Sequence, residues 1–412
     1  MNKYEKYKDT GIEWIGKIPL DWKTPKLKHL ITKSFGGEVI DKSYWGEGNE
    51  TLYTTSKKIH KSNYPDFNDD RKTTENDLLL SRNGDGVVHI PPDGCIYTNV
   101  VQLVRIKDGI NRRFLWYSLT SQIKPLNSSS DGDFIVSLNK EQWFNLLTPL
   151  PTTSEQKEIV SYLDTNILPI DSLIKKIQQK IELLKEQKIS LISEIVTKGL
   201  NSDIEMKDCG VEWIGEIPKD WGFIKLKRLF FINKRISGEL GFDVLSVTQN
   251  GLKVKDLENS MGQHSMDYTK YQLVYENDFV MNHMDLLTGY VDISKQTGVT
   301  SPDYRVFTRY NDTVFNNYYL YIFQLLYKQK VFYGLGRGVS NMGRWRLPSV
   351  EFLNMYLPLP PYSEQKQIVE YLNKQTQKID TIICTEEKRI DLLKEYKQSL
   401  ISEVVTGKKR VV

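Results

Sequence analysis

Positively charged side chains recur at matched places in this chain of 412 residues: Lys26 and Lys28 in WKTPKLKHL, then Lys225, Lys227 and Arg228 in WGFIKLKRLF. Cations placed alike in two halves suit phosphate clamping, because a polyanion's backbone must be held equally at both places. A solvated face accounts for the same residues equally well. Glu75-Asn76-Asp77 and Glu276-Asn277-Asp278 form a second matched pair, turns that each lead into an apolar strand. The residues after those strands differ, Arg82 and Asn83 in one half and Asn282 and His283 in the other. Arginine pairs with guanine and asparagine with adenine in a major groove, so a variable loop after a shared strand is a place to change base recognition. The alternative is a plain surface turn. Gly334-Leu335-Gly336-Arg337-Gly338-Val339-Ser340-Asn341, followed by Arg344 and Arg346, is basic and glycine-rich, which permits close backbone approach to phosphate. Its nearest match, Asn127 to Asp133, has no arginine.

Catalytic signatures are missing by comparison. No GxxxxGK loop followed by Ser or Thr occurs, nor a G-x-S-x-G elbow or a Rossmann fingerprint. His29, His60, His89, His264 and His283 make no HExxH or Cys/His cluster, so neither a metal site nor a catalytic residue is assigned. Leu359-Pro360-Pro361-Tyr362 approaches the Asn-Pro-Pro-Tyr loop of amino-methyltransferases, but leucine stands where the polar acceptor must be. The other copy reads Leu150-Pro151-Thr152-Thr153, so the prolines read as punctuation before a helix. Asp66, Asp69, Asp70 and Lys72 read as a polar loop and not as a nuclease site.

The elements that must position the basic residues are themselves repeated. GIEWIGKIP at 11–19 returns as GVEWIGEIP at 210–218, and SEQKEIVSYLDT at 154–165 returns as SEQKQIVEYLNK at 363–374. A repeat of this length means two whole domains and not a solenoid. The segments 11–150 and 210–360 break into short apolar runs between turns, with helices expected at 114–123 and 316–327, and each reads as a mixed α/β domain. After the prolines, Ser154 and Ser363 read as helix caps with Glu155 and Glu364 in the first turn.

The pattern is then helical for over forty residues. Ile170, Ile174, Ile181, Leu184 and Leu191 line one stripe; Ile379, Ile383, Ile390, Leu393 and Leu400 line the other, with Glu386 as one polar break. Steps of three, four and seven kept over that length are the mark of a coiled coil. Leu173, Leu183 and Ile192, with Ile382, Leu392 and Ile401, widen the stripe beyond a two-position seam. Pro169 predicts a kink or a non-helical join. The expected boundaries are 1–153 for the first domain, 154–200 for its helix, 201–362 for the second domain and 363–412 for the last helix.

A helix of forty residues is about 60 Å long, and the link after Gly199 is short. It therefore pins the second domain to the far end of the first helix. The second helix then runs back antiparallel, which gives an α+β protein: two similar mixed α/β domains joined by a long antiparallel two-helix coiled coil with approximate two-fold symmetry. Such a spacer would hold two heads at the separation of duplex grooves, about 34–36 Å per turn. Unlike middles, such as 87–102 and 284–301, predict a two-part, non-palindromic target.

The net charge of +4 is modest, and the odd set Cys95, Cys209 and Cys384 fits a reducing compartment. No apolar run is long enough for a signal peptide or a membrane span, so a cytoplasmic protein with no membrane partner is expected.

Together the Glu-Trp-Ile-Gly-x-Ile-Pro openings (Glu13 to Pro19, Glu212 to Pro218), the Pro-Leu-Pro exits (149–151, 358–360), the Ser-Glu-Gln-Lys helix starts and the endings LISEIVT and LISEVVT form a specific set. In these the chain resembles the specificity subunit of type I restriction-modification enzymes over nearly its whole length. The resemblance implies two target-recognition domains, each reading half of a split sequence in double-stranded DNA, with the helices as ruler and docking surface. It implies a subunit that is not catalytic and binds no cofactor. Two methylation subunits would transfer a methyl group from S-adenosylmethionine to adenine N6, and two restriction subunits would translocate and cleave DNA with ATP and Mg2+. A stand-alone methyltransferase or nuclease and a coiled-coil protein scaffold are the competing readings.

Overall fold

The computed structural model describes residues 3–83, 86–128, 139–256, 267–338 and 345–411. Its α-helices are α1 (Arg112–Ser128), α2 (Lys140–Asn145), α3 (Thr153–Lys198), α4 (Asn316–Lys328), α5 (Val331–Gly334), α6 (Ser349–Asn354) and α7 (Tyr362–Val405). The chain divides into two compact units, residues 1–178 with 387–412, and residues 179–386. The long helices α3 and α7 therefore each contribute to both units. No helix among the described residues is long and apolar enough to cross a membrane.

In the first unit a four-stranded antiparallel sheet has the order Ile31–Gly36, Val101–Ile106, Asp77–Ser81, Val88–His89. Every residue of Asp77–Ser81 is buried, which explains an unbroken apolar run where a half-exposed strand would alternate. Leu78 and Leu80 point into a core with Leu115, Leu119 and Trp143, whereas Leu79 and Leu103 join Leu52, Tyr53, Ile96 and Tyr97 on the other side. That second core is roofed by a sheet of His60–Ser62, Trp45–Tyr53 and Ile96–Tyr97.

The second unit repeats the order with Phe230–Asn233, Arg305–Arg309, Phe279–Met281 and Val291–Ile293. Phe279 and Phe307 face Phe230, Phe323 and Phe352, while Val280 and Val306 face Leu245, Val247 and Val274. Phe230 meets Phe279, Phe307 and Phe323 edge-on at centroid distances of 5.4, 5.7 and 5.6 Å, the geometry that ring quadrupoles favour. A second sheet, ordered Gly251–Val254, Val244–Thr248, Gly298–Thr300, Gln272–Val274, carries the smaller core.

The expected strands at 77–81 and 279–281 are present, each entered by its predicted turn. Asp77, fully buried, accepts two hydrogen bonds from Arg105, from Nε and Nη2, both at 2.9 Å. Asp278 accepts from Arg235 Nη2 at 2.7 Å, and Asn277 before it takes a left-handed φ of 71°, which asparagine tolerates well. The same buried carboxylate is thus neutralised by arginines from different parts of the two units.

The long helices differ from expectation at their starts and at Pro169. They begin at Thr153 and Tyr362, so Ser154 and Ser363 lie inside the first turn and do not cap it. The Glu155 N–H donates to Thr152 Oγ1 at 3.4 Å and the Glu364 N–H to the Pro361 carbonyl at 2.9 Å, while Gln156 Nε2 donates to the Pro151 carbonyl at 3.0 Å and Gln365 Nε2 to that of Pro360 at 2.9 Å. The other ends of these amides accept from the backbone N–H of Asn111 and Phe315, tying each helix start to the chain that enters α1 or α4. Helix α3 runs unbroken through the exposed Pro169. Loss of one hydrogen bond there costs about 3 kcal/mol, and burial of Leu163 and Ile167 before it and Ile177 after it holds the helix together.

Within each unit the two long helices run in opposite directions. In the first, Lys397 Nζ donates to Asp171 at 2.6 Å and Lys409 lies over the Tyr162 ring at 5.1 Å. In the second, Lys188 Nζ donates to Asp380 at 2.6 Å and Lys180 Nζ to Glu386 at 2.7 Å. Glu386, the polar break, is 8 % exposed and is held by that lysine. Of the stripe residues, Ile181, Ile379, Ile390 and Leu400 are buried, while Ile170, Ile174, Leu184, Leu191, Ile383 and Leu393 are half-buried. Ile192 and Ile401 pack into the cores of the second and first unit, respectively, whereas Leu183, Ile382 and Leu392 stay exposed.

Removing one partner of a buried ion pair leaves a charge with no compensation, at about 3–5 kcal/mol. Asp77→Ala is expected to lower the stability of the first unit by that order, read as a shift of its urea midpoint with secondary structure in the second unit retained.

Candidate nucleic-acid interface

The matched cations flank two short 3-10 turns, Leu27–His29 and Leu226–Arg228, each pinned by one buried leucine, Leu27 or Leu226. The turn's own hydrogen bonds leave the side chains of Lys28, Lys227 and Arg228 exposed, and Lys26 is exposed just before the first turn. Lys26 Nζ reaches Asn145 Oδ1 at 3.5 Å, a long contact, whereas Lys225 is half-buried with its Nζ 5.3 Å from the Tyr356 ring. That ring also stacks on Phe223 at 5.1 Å. Lys225 is therefore committed to an aromatic face, and Lys28, Lys227 and Arg228 present the more accessible charges.

The variable loops sit where the strands end. In the first unit, Arg82 is half-buried with Nη1 3.4 Å from the Asn99 carbonyl, and Asn83 is exposed. In the second, Asn282 Oδ1 accepts from the Met284 N–H at 3.2 Å and its backbone carbonyl accepts from Tyr327 Oη at 2.7 Å. The Asn282 amide oxygen thus stabilises its own turn.

His283 lies beneath an arginine cluster. Arg337 and Arg346 face each other across an antiparallel bridge in which each backbone N–H donates to the other's carbonyl, at 2.9 and 3.2 Å. Side chains of such a pair lie on one face of the ribbon. Trp345 anchors the ribbon by donating from Nε1 to the Tyr333 carbonyl at 2.8 Å. A Cβ on Gly336 would lie 2.3 Å from that nitrogen, so only glycine fits. Arg337 Nη2 donates to Glu351 at 2.6 Å. Asn341 and Arg344, also singled out in the sequence, lie outside the described residues, as do the segments 339–344 and 129–138.

Arg305, His283, Arg337 and Arg346, with Gly338, Leu347, Pro348 and Ser349, line a cavity of about 440 Å³. Arg305 is 3 % exposed; its Nη2 donates to the Leu347 carbonyl at 2.8 Å and to Ser349 Oγ at 3.2 Å, and its guanidinium lies 4.6 Å from the Phe352 ring. Burial depresses its pKa to about 10, so it remains charged near neutrality. Burial first, then the charges of Arg305 and Arg346, hold the His283 imidazole down at about 3. His283 is therefore neutral at physiological pH and contributes a ring donor and acceptor and no charge.

Sequence patterning did not single out Arg305, which opens the mixed strand Arg305–Arg309 and carries no motif. Its position in the strand register is filled in the first unit by Gln102, whose Nε2 donates to Ser34 Oγ at 2.6 Å. Nor did it single out Trp22 and Trp221, although both follow their Ile-Pro at equal spacing. Trp22 Nε1 donates to Glu155 at 3.1 Å and Trp221 Nε1 to Glu364 at 3.0 Å. Among the described residues no group of three or more His, Cys, Asp or Glu side chains is placed to hold a metal ion.

The model of the type I restriction modification DNA specificity domain matches residues 19–183 and 218–392. Among curated proteins, the type I restriction enzyme MjaVIII specificity subunit of Methanocaldococcus jannaschii is 27 % identical over 355 residues, covering 82 % of this chain and 80 % of the relative. The EcoDI specificity subunit of Escherichia coli is 21 % identical over 427 residues, covering 95 % of this chain and 89 % of the relative. A chain from a solved structure described as showing complex assembly and conformational transition of the type I R-M system shares the fold, with a TM-score of 0.65, 13 % identity and coverage of 94 % and 98 %.

The depressed pKa of His283 fixes the sign of an acid effect. Between the ordinary histidine value near 6.5 and the native value of about 3, the unfolded chain binds a proton that the folded chain does not. Stability is therefore expected to fall as pH falls through that window, by at most about 1.4 kcal/mol per pH unit. His283→Gln should flatten this part of the unfolding free energy measured against pH.

Proposed function

Because the chain belongs to the family of the type I restriction modification DNA specificity domain, and serves as a DNA-recognising specificity subunit, we propose that its two units each read one half of a split, asymmetric sequence in double-stranded DNA. The observation that carries this reading is the pairing of a common frame with unlike recognition surfaces. Both units share the strand order and the charged 3-10 turn, yet one ends its central strand in Arg82 and Asn83 and the other in the arginine cavity over His283. In this reading Lys26, Lys28, Lys227 and Arg228 engage phosphates, and Lys225, held over the Tyr356 ring, adds its charge beside them. The loop residues Arg82, Asn83, Asn282 and His283 and the ribbon residues Arg337 and Arg346 contact the grooves, as do Asn341 and Arg344, which lie outside the described residues.

Helices α3 and α7 then act as one antiparallel coiled coil that fixes the spacing of the half-sites. Their exposed Leu183, Ile382 and Leu392 belong to the docking surface for partner subunits. The partners are two methylation subunits, which use S-adenosylmethionine on adenine N6, and two restriction subunits, which use ATP and Mg2+. This chain supplies recognition and no catalytic group, and it works in the cytoplasm.

With the methylation subunits present, binding to a duplex library is expected to be tight, salt-sensitive and restricted to sequences with two fixed blocks separated by a constant gap. Uniform binding to every duplex would refute the reading, as would methyl transfer or cleavage by the purified chain alone. Within that assay Lys227→Ala should weaken all duplexes alike and reduce the slope of log affinity against log salt by about one.

A further inference from the structure

The charged side chains that line the cavity in the second unit are all cationic. Arg305, Arg337 and Arg346 bring three guanidinium groups to it, and among the described residues none that lines it is a carboxylate. Glu351 engages Arg337 from outside that lining. The Nδ1 atom of His283 is sealed from solvent and has no hydrogen-bond partner among the described residues. An unpaired acceptor is cheaper to bury than an unpaired donor, so the ring carries its proton on Nε2 and offers the cavity a donor. Ser349 Oγ and the Leu347 carbonyl, the neighbouring acceptors, are taken by Arg305. The site is thus rich in donors and net positive, and it is fixed before any ligand arrives, by the Arg337–Arg346 bridge and the Trp345 anchor.

We propose that this cavity seats one phosphate group of the DNA backbone, gripped by Arg337 and Arg346 from the ribbon and by the His283 ring N–H, with Arg305 as the fixed charge beneath. The proposal rests on the DNA-reading function above and reassigns Arg337 and Arg346 from groove contacts to the backbone. A guanine edge also accepts from arginine, but it is neutral, and a neutral ligand leaves the guanidinium groups of Arg305 and Arg346 without a compensating charge, since only Arg337 has its carboxylate, Glu351. A phosphodiester supplies the missing charge. In the first unit Gln102 replaces Arg305, so this buried cation is a device of the second unit.

Arg346 is exposed, so Arg346→Gln is expected to fold, and Arg337→Gln serves as the second variant. In the assembled complex with the methylation subunits, each should weaken cognate and unrelated duplexes by the same factor, roughly tenfold, with a salt slope shallower by about 0.9. A loss confined to one base-pair position would overturn the proposal in favour of base reading, and an unchanged affinity and slope would overturn it outright. A second arm needs no DNA: melting of the full chain in sodium phosphate against sodium chloride at matched ionic strength. The wild type should gain more from phosphate than Arg346→Gln does, and equal gains would overturn the seat. If the wild-type complex bound no duplex at all, the DNA-reading function would fail, and the phosphate arm would still decide the cavity.

Discussion

One tryptophan in each unit organises everything around it. Trp22 bonds Glu155 in the first turn of α3, and the glycine that follows α7, Gly407, lies so close that an added Cβ would come within 3.2 Å of the same indole. Trp221 does the same in the other unit, with Glu364 at the start of α7 and Gly199 after α3, where a Cβ would come within 3.1 Å of the ring. Both glycines take φ above +60°, which ends the helix and lets the backbone pass the ring edge. Bringing the beginning of one helix and the end of the other to a single side chain is possible only if they run in opposite directions. Burial lifts the Glu364 carboxyl above its ordinary range while the indole N–H pulls it back, so this contact is partly desolvated.

From that junction the rest of each unit follows with little freedom. The hairpins Tyr7–Asp9 with Lys17–Pro19 and Met206–Asp208 with Glu216–Pro218 place the tryptophans. The glutamine next to each glutamate fixes the entry to α1 or α4, and those helices cover one face of the four-stranded sheet. The opposite face is left for the second sheet and its loops, which is where the two units diverge. Conserving the frame and varying the far side lets two surfaces of different chemistry stand on the same support, one ending at Arg82 and one at an arginine-lined cavity.

Much of this was legible from residues alone. The paired motifs announced two units, the heptad steps announced helices of over forty residues, and the turns before Leu78 and Phe279 announced buried strands. What escaped had a physical reason in each instance. Pro169 suggested a break because local propensity was read without the burial on either side that overrides it. Ser154 and Ser363 read as caps, but the acceptors at the helix starts come from earlier residues, the Thr152 hydroxyl for the Glu155 N–H and the Pro361 carbonyl for the Glu364 N–H. Arg305 was hidden because an arginine opening a strand of mixed character, Arg305–Arg309, reveals its burial only when its partners, from residues 347 and 349, are folded against it. The ribbon pairing of Arg337 with Arg346 depends on backbone bonds that no spacing rule announces.

The division of the chain also has a temporal side. Residues 179–386 form a unit from one continuous stretch, whereas the first unit needs residues 387–412, which hold Tyr7 through the Gly407 carbonyl and place Arg410 over Tyr4. Ribosomal synthesis delivers that piece after all of residues 179–386. The unit whose sequence begins first must therefore wait, with Trp22 and its neighbours unsealed, until residues 387–412 have been made, and the later-encoded unit is the one able to mature before them.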